Sequence, residues 1–224
     1  MSKEISALIA VRKGSKRVVN KNIRPFAGSS LLEIKIKQLT RIDGINEILV
    51  SSDCAKMIDI ANRMGVIGVM RDPKFASDTI PMNLVYQHLA SLAPSEHILY
   101  VHVTSPLLSD ESLSRCIAEY NKLEEKYDSL ASVSSLHEYI WTDEGAINYD
   151  PNSHPRSQDL PNYYALNFAV NLISKNAMVN RKNIVGEKFF PYYLDEIESI
   201  DVDTMTDFKV AEFLYRTARD RNQV

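Results

Sequence analysis

A dense group of cations follows the first apolar run of the chain. Residues 5–11 are apolar apart from one serine, and the next eleven residues contain five basic side chains: Arg12, Lys13, Lys16, Arg17 and Lys21. Gly14 and Ser15 lie among them and allow the backbone to approach a ligand closely. Five cations in one loop favour a polyanion as ligand, most simply a nucleoside triphosphate. The alternative is a solvated surface, because runs of Lys and Arg usually face water.

A pair of carboxylates far along the chain suits a magnesium ion. Asp201 and Asp203 alternate around a valine at the end of 197–202, a segment that predicts a short strand, so both carboxylates should point to one face. Mg²⁺ is commonly held by one or two protein carboxylates together with substrate phosphates. The alternative is helix capping, since Asp203, Thr204 and Asp207 lie where a helix should begin.

Two familiar phosphate-binding signatures are absent from the cationic loop. It contains neither the GlyxxxxGlyLys of a P-loop nor the GlyxGlyxxGly of a dinucleotide-binding turn, which disfavours both of those enzyme classes. The formal charge of −3 and pI near 6.0 argue against a general nucleic-acid binder. With 224 residues, 45% of them hydrophobic and 25% charged, the composition is that of one globular domain.

Strand-like and helix-like segments alternate through the first two thirds of the chain. Short apolar runs predict strands at 5–11, 46–51, 66–70, 97–103 and 128–134. Apolar residues recurring every three or four positions predict helices in between, at 34–42, 57–64, 84–92 and 113–123, and two more near 174–182 and 205–219. This alternation predicts an α/β fold with a mainly parallel sheet flanked by helices. Such folds bind ligands at the carboxyl ends of their strands, where the cationic loop would lie.

Residues 136–166 interrupt this alternation. The segment is rich in turn-forming and aromatic residues and predicts a β-hairpin followed by an extended excursion within a single domain, 1–224. Its aromatic residues could stack on a base or sugar, but their density favours an interface: Tyr139, Trp141, Tyr149, Tyr163 and Tyr164. A hairpin of this kind is marginal alone, so we expect it to pack against a second subunit in a homodimer.

The remaining features indicate a cytoplasmic protein. Cys54 and Cys116 have no second ligand at metal-binding spacing and are expected to be reduced thiols. The first apolar run is too short for a signal-peptide core or a membrane span. We therefore expect neither membrane nor nucleic acid among the partners.

Seven short motifs follow one another in a recognisable order. They are residues 12–22, 51–53 (SerSerAsp), 71–72 (ArgAsp), 77–79 (SerAspThr), 104–106 (ThrSerPro), 156–161 (ArgSerGlnAspLeuPro) and 201–204 (AspValAspThr). In this order they resemble the acylneuraminate cytidylyltransferases, also called CMP-sialic acid synthetases, over about residues 5–215. The resemblance implies a Rossmann-like nucleotide-diphosphosugar transferase fold. It also implies Mg²⁺-dependent transfer of CMP from CTP to the anomeric hydroxyl of a nonulosonic sugar acid, with release of pyrophosphate.

The resemblance also implies roles for individual residues. The implied catalytic residues are Arg12, Lys16, Lys21 and Asp203. The implied nucleotide-binding residues are Arg12, Gly14, Ser15, Lys16, Asn22, Arg71 and Thr79. The implied substrate-binding residues are His102, Thr104, Ser105, Arg156, Gln158 and Asn167, and the implied metal ligands are Asp201 and Asp203. Either Asp203 or a bound water accepts the proton of the attacking hydroxyl, and Arg156 either pairs with the sugar carboxylate or is solvated.

Four positions depart from the family's pattern. Lys13 replaces a glycine of the cationic loop, His102 replaces a glutamine that contacts the sugar, Leu108 replaces an arginine, and Phe168 replaces a glycine. His102 could carry charge near neutral pH or be a packed residue at a strand end. These changes leave the acceptor open among sialic, pseudaminic, legionaminic and related acids. The alternatives are another acceptor, such as an octulosonic acid or a phosphonate, and a non-catalytic nucleotide-binding relative, against which the two aspartates argue.

Overall fold

The computed structural model describes residues 2–220, which form nine strands and six helices in a single succession. The strands are β1 (Ile5–Ala10), β2 (Glu47–Ser52), β3 (Ile67–Met70), β4 (His97–Val101), β5 (Ser129–Leu136), β6 (Trp141–Thr142), β7 (Gly145–Ala146), β8 (Tyr163–Ser174) and β9 (Phe189–Tyr193). The helices are α1 (Leu31–Leu39), α2 (Ala55–Arg63), α3 (Met82–Leu92), α4 (Asp110–Asn121), α5 (Lys175–Arg181) and α6 (Met205–Asp220).

Seven strands form one sheet in the order β3-β2-β1-β4-β8-β5-β9. β1 pairs in parallel with both β2 and β4, β2 pairs in parallel with β3, and β5 with β9. β8 runs antiparallel to both of its neighbours, β4 and β5. The other six strands of this sheet therefore run in one direction, and the mainly parallel sheet that the sequence predicted is confirmed.

Helices cover both faces of the sheet. Alternate residues of β1 enter different clusters: Ile5 and Ile9 pack with residues of α1, α2, α4 and α6, whereas Leu8 packs with residues of α3 and α5. This explains why β1 is apolar without alternation, as strands covered on both sides are. α1 begins at a capping box, in which the Ser30 hydroxyl accepts from the Glu33 N–H and donates to the Glu33 carboxylate.

The predicted strand at 197–202 is wrong. The Asp195 side chain accepts hydrogen bonds from the backbone N–H groups of Ile197 and Glu198, which folds this stretch into a turn. The edge strand of the sheet is instead β9, and the extended segment after the turn joins no strand of the sheet. β8, the twelve-residue antiparallel strand, was not predicted.

Residues 136–166 contain one short hairpin, formed by the antiparallel pairing of β6 and β7, each two residues long. The Trp141 ring nitrogen donates to the Tyr149 hydroxyl at 2.7 Å, and the Tyr139 and Tyr149 rings meet edge to face. Trp141 and Ile147 nevertheless remain 56% and 53% exposed. Among the described residues, no helix combines the length and the apolar character that crossing a bilayer requires.

Candidate active site

A cavity of about 370 Å³ opens at the carboxyl ends of β1 and β4. One wall is the loop after β1, which turns through Gly14 at a φ of +86°, a conformation that side chains rarely adopt. The opposite wall is the end of β4 with the residues that follow it. The lining includes eight of the predicted site residues: Arg12, Ser15, Lys16, Lys21, Asn22, His102, Thr104 and Asp203. The cavity thus lies where open α/β sheets bind their ligands.

The cations of the loop after β1 form two groups, each paired with one carboxylate. Arg12 and Lys16 contact Asp78 at 2.5 and 2.7 Å. Arg17 and Lys21 contact Asp203 at 2.9 and 3.5 Å. The Arg12 and Lys16 hydrogen bonds hold the pKa of Asp78 below its usual range. The pairs of Arg12, Lys16 and Arg17 are solvent-accessible and individually weak, whereas the Lys21 side chain is only 14% exposed.

A backbone contact positions the segment of Asp201 and Asp203, of which Asp203 lines the cavity and Asp201 does not. The Val202 N–H donates to the Thr104 carbonyl at 2.8 Å, and the Lys21 ammonium donates to the Val202 carbonyl at 2.6 Å. The Val202 side chain is fully buried, which anchors the segment between the two aspartates. Asp203 lines the cavity, so the predicted pair is positioned by a loop contact instead of by strand alternation.

Asp201 lies deeper than Asp203 and has an unsatisfied oxygen. Its Oδ1 atom is buried and accepts no hydrogen bond from the described residues. Burial raises the pKa of Asp201, the nearby Asp203 carboxylate raises it further, and the Thr104 hydroxyl and Lys21 act in the opposite direction. A cation would give this oxygen a partner and would favour the charged carboxylate, against the effect of burial. Within residues 2–220, no three His, Cys, Asp or Glu side chains converge on a metal site.

A second cavity, of about 300 Å³, adjoins the first and shares Arg12 and Tyr100 with it. Its lining includes Arg71, whose side chain is 4% exposed and donates to the Val11 carbonyl at 2.5 Å. The Arg71 Nε–H is buried and finds no acceptor in the described part of the chain. Asn22 holds the same loop by donating to the Arg12 carbonyl. Arg71 is therefore held rigidly in the wall of this cavity with one donor unpaired.

His102 lines the first cavity and is uncharged at neutral pH. Its ring lies 6.0 Å from the Phe168 ring in a near-parallel stack and meets Tyr100 edge to face. Burial lowers the pKa of His102 to about 4, and the positive charges of Lys21 and Lys35 lower it too. The expectation of a charged His102 near neutral pH is therefore wrong, because burial among cations disfavours the imidazolium. His102 therefore packs against neighbouring rings at the end of the strand and also lines the cavity.

Other predicted residues lie outside the lining of the first cavity. Arg156 pairs with Asp159 on the exposed 136–166 segment, and Gln158 is exposed beside it. Thr79 is exposed and shares a hydrogen bond with Ser77. Ser105 is buried beneath the loop after β4. Asn167 bonds to Ser132, Ser134 and the Ala169 N–H, and so holds the bulge of β8 together.

Leu108 belongs to the core. Its side chain is 1% exposed, so of the four departures from the family pattern this one lies away from the cavity surface. Several lining residues were absent from the predicted set, namely Arg17, Met82, Tyr86 and Tyr100. Tyr100 precedes His102 by two residues within the predicted strand 97–103, so strand alternation, had it been applied, would have placed both side chains on one face. Arg17 was visible only as one cation among five.

Comparison with known proteins agrees with this geometry. The family model described as Cytidylyltransferase matches residues 6–200. The pseudaminic acid cytidylyltransferase of Campylobacter jejuni is 25% identical over 93% of this chain and 95% of its own length. The CMP-N,N'-diacetyllegionaminic acid synthase of Legionella pneumophila is 28% identical over 94% and 95%. N-acylneuraminate cytidylyltransferase A of Danio rerio is 27% identical over 94% of this chain, which spans only 50% of that relative.

Solved structures share the fold at low sequence identity. CMP:2-keto-3-deoxy-manno-octonic acid synthetase, solved in complex with CTP, superposes with a TM-score of 0.71 at 11% identity, covering 96% of this chain and 99% of the other. The 4-diphosphocytidyl-2C-methyl-D-erythritol synthase of Anaerococcus prevotii gives 0.71 at 17% identity, covering 96% and 97%. The nucleotide-diphosphosugar transferase fold that the motifs implied is confirmed, and the family match over residues 6–200 shows that this chain belongs to the cytidylyltransferases, alongside the acylneuraminate enzymes it resembles.

Proposed function

We propose that this chain transfers CMP from CTP to the anomeric hydroxyl of a nonulosonic sugar acid and releases pyrophosphate, with Mg²⁺ as cofactor. The observation that carries the proposal is the convergence of Arg12, Lys16, Lys21 and Asp203 on one cavity beside the Arg71 cavity. The relatives named for pseudaminic, legionaminic and N-acylneuraminic acids support this acceptor class.

The second cavity suits the nucleoside. The buried Arg71 Nε–H lacks an acceptor, and a carbonyl oxygen of the base would supply one. Asn22, with Gly14 and Ser15, shapes the loop that the phosphates approach, and Thr79 is accessible for the ribose. Arg12 lines both cavities, so it would contact the phosphates next to the nucleoside.

The aspartate pair fits a magnesium ion. Asp201 has a buried oxygen without a partner, Asp203 faces the cavity, and carboxylates with phosphate oxygens are the ligands that Mg²⁺ prefers. When bound, the ion would stabilise negative charge on the transferring phosphoryl group and favour ionisation of the attacking hydroxyl. Asp201 and Asp203 would hold it.

The protein's own residues account for the rest of the chemistry. Arg12, Lys16 and Lys21 would neutralise the phosphate oxygens and align the triphosphate for in-line attack. A proton acceptor should have a pKa near the operating pH, and His102, with a pKa of about 4, is poorly matched to that task. Asp203 or a water next to it remains the proposed acceptor. Thr104 would contact the acceptor at the end of β4.

The acceptor itself is the least constrained part of the proposal. Two departures from the family pattern, His102 and Phe168, stack on each other at the end of β4, and they keep an octulosonic acid or a phosphonate as the second candidate. If His102 contacts the acceptor, His102→Gln should shift relative kcat/KM toward sialic acid. Identical relative values for His102→Gln and the unmodified chain would make His102 a packing residue only.

Pyrophosphate release tests the activity directly. We would measure it with CTP, ATP, GTP or UTP against sialic, legionaminic, pseudaminic and octulosonic acids, with and without EDTA. The proposal predicts release with CTP and one nonulosonic acid, lost on adding EDTA. Lys16→Ala should weaken CTP use, whereas Lys37→Ala, on the exposed face of α1, should not. If the chain bound CTP but released pyrophosphate with none of the acids, we would conclude that it is a nucleotide-binding protein and not an enzyme of this class.

We further propose that two copies associate through 136–166 and that the protein works in the cytoplasm. The exposed Trp141 and Ile147 of that segment support the association. A partner copy could also approach Arg156 and Gln158, which lie on the same segment. Fractionation of source cells, with the chain recovered in the cytosolic fraction, checks the location.

A further inference from the structure

A lysine side chain lies fully inside the protein, directly beneath the loop that follows β4. Lys35, on α1, is 1% exposed, and its ammonium donates to the Gln38 side-chain oxygen at 2.7 Å and to the Ser105 carbonyl at 3.1 Å. Gln38 in turn donates to the Leu108 carbonyl at 2.6 Å. α1 therefore holds the loop 102–108 from below through two side chains.

The same loop holds the aspartate segment from its other side. The Thr104 carbonyl, which directly precedes Ser105, accepts the Val202 N–H at 2.8 Å. Two consecutive carbonyls are thus fixed, one by Lys35 and one by the residue between the proposed metal ligands. The Lys35 charge also lowers the pKa of His102, so the ammonium is close enough to the cavity to act on it electrostatically.

Stability does not explain an ammonium at this position. Burial lowers the pKa of Lys35 to about 7, against a partial opposing effect of Asp110, so the charged form is disfavoured by the fold. A methionine would occupy similar space without the penalty of burying a charge, but it would leave the Gln38 oxygen and the Ser105 carbonyl without this donor. The gain must lie in what Lys35 holds.

We propose that Lys35 is a positioning residue for the Asp201 and Asp203 carboxylates and acts on them through the loop 102–108. Without its ammonium, the Ser105 carbonyl and the Gln38 oxygen lose their donor, and the loop relaxes away from Val202. The contact between Thr104 and Val202 then weakens, and the aspartate pair loses its fixed position beside Lys21. The expected effect of Lys35 on kcat rests on the proposed function, whereas its expected effect on the position of Val202 does not.

The test compares Lys35→Met with Lys37→Met, a matched change on the exposed face of the same helix. Hydrogen exchange at the Val202 amide is the first readout. Lys35→Met should speed it roughly tenfold, the factor that an ordinary hydrogen bond contributes, while Lys37→Met leaves it unchanged. Unchanged exchange at Val202 in a folded Lys35→Met protein would overturn the proposal.

Kinetics give the second readout. Lys35→Met should lower kcat about tenfold and leave the KM for CTP within about twofold, since Arg71 and the second cavity are held by other contacts. Lys35→Gln, which keeps a neutral donor, should recover part of the loss and serves in place of Lys35→Met if the latter fails to fold. A kcat equal to that of Lys37→Met would also overturn the proposal. If the unmodified chain transfers nothing, the proposed function fails, and the exchange readout still decides the role of Lys35.

Discussion

Asp203 is placed to interact both with the cations of the loop after β1 and with the proposed metal ion. It accepts from Arg17 and Lys21, and with Asp201 it would offer oxygens to a divalent cation. A nucleotide that draws Arg17 and Lys21 to its phosphates would free Asp203 for that cation. One carboxylate can thus hold the loop after β1 before binding and the metal afterwards.

The Asp203→Asn variant separates this role from folding. We expect kcat to fall by roughly 10²-fold or more, because one charged ligand in the reacting region is lost. The fold should persist, since Val202 remains buried. Steady-state pyrophosphate release measures the effect, with Asp43→Asn, an exposed residue after α1, as the matched control. Near-normal turnover of Asp203→Asn would remove Asp203 from the metal site.

The buried Lys35 also makes stability depend on pH in a predictable direction. Its folded pKa of about 7 lies below the ordinary 10.5, so between these values the unfolded chain binds more protons, and stability rises with pH. From pH 7 to 10 the unfolding free energy of the unmodified chain should rise by about 4 kcal/mol relative to Lys35→Met. Urea unfolding of both proteins across this range measures the difference. If the difference in unfolding free energy between the two proteins did not change with pH, the pKa of Lys35 would have to be the same in the folded and the unfolded chain.

At the scale of the elements, local periodicity predicted most of the sheet and its helices. β1 to β5 and α1 to α4 each carry the apolar spacing of their own class and lie where that spacing indicated. β8 was missed because its place between β4 and β5 depends on pairing with residues far along the chain. The strand at 197–202 failed because the Asp195 turn, a side-chain contact with the backbone, overrides the apolar pattern.

In the candidate site, too, residues close together in the sequence could be predicted and those that depend on distant contacts could not. Arg12, Lys16, Lys21 and Asn22 come together because one loop carries them, and His102 and Thr104 because their strand is adjacent. Lys35 could not be predicted, since a lysine at a buried helical position contradicts the usual pattern and is explained only by the carbonyls above it. The role of Asn167 in the bulge likewise depends on Ser132, thirty-five residues earlier.

The bulge of β8 contains a strained aromatic residue. Phe168 has a φ of 57°, where a bulky side chain is a clear outlier, and this accounts for the glycine that the family pattern has there. Phe168→Gly should be more stable than Phe168→Ala by about 1 kcal/mol, because both lose the ring but only alanine keeps the strain. At Phe213, an exposed position inside α6, the order should reverse. Urea unfolding of the four variants checks both orders, and alanine above glycine at residue 168 would contradict the strained conformation.

At the scale of the whole molecule, we expect the exposed apolar side chains of 136–166 to determine the state of association. We expect light scattering after size exclusion to give twice the 25.4 kDa chain mass. The double change Trp141→Asp and Ile147→Asp should give single chains with unchanged secondary structure by circular dichroism, because it places charge in the proposed interface. Phe213→Asp, at an equally exposed site on α6, is the control. A single-chain mass for the unmodified protein at all concentrations would contradict the association.

The two carboxylates that pair with the cationic loop have a consequence for which anions the cavity admits. Asp78 and Asp203 offset two of the four positive charges of Arg12, Lys16, Arg17 and Lys21, so an incoming anion must exchange with these carboxylates to reach all four cations. A singly bridging ion such as inorganic phosphate could replace one carboxylate and gain little. A triphosphate can replace both at once. We therefore expect this exchange to favour anions of high charge, so that a triphosphate binds in preference to inorganic phosphate.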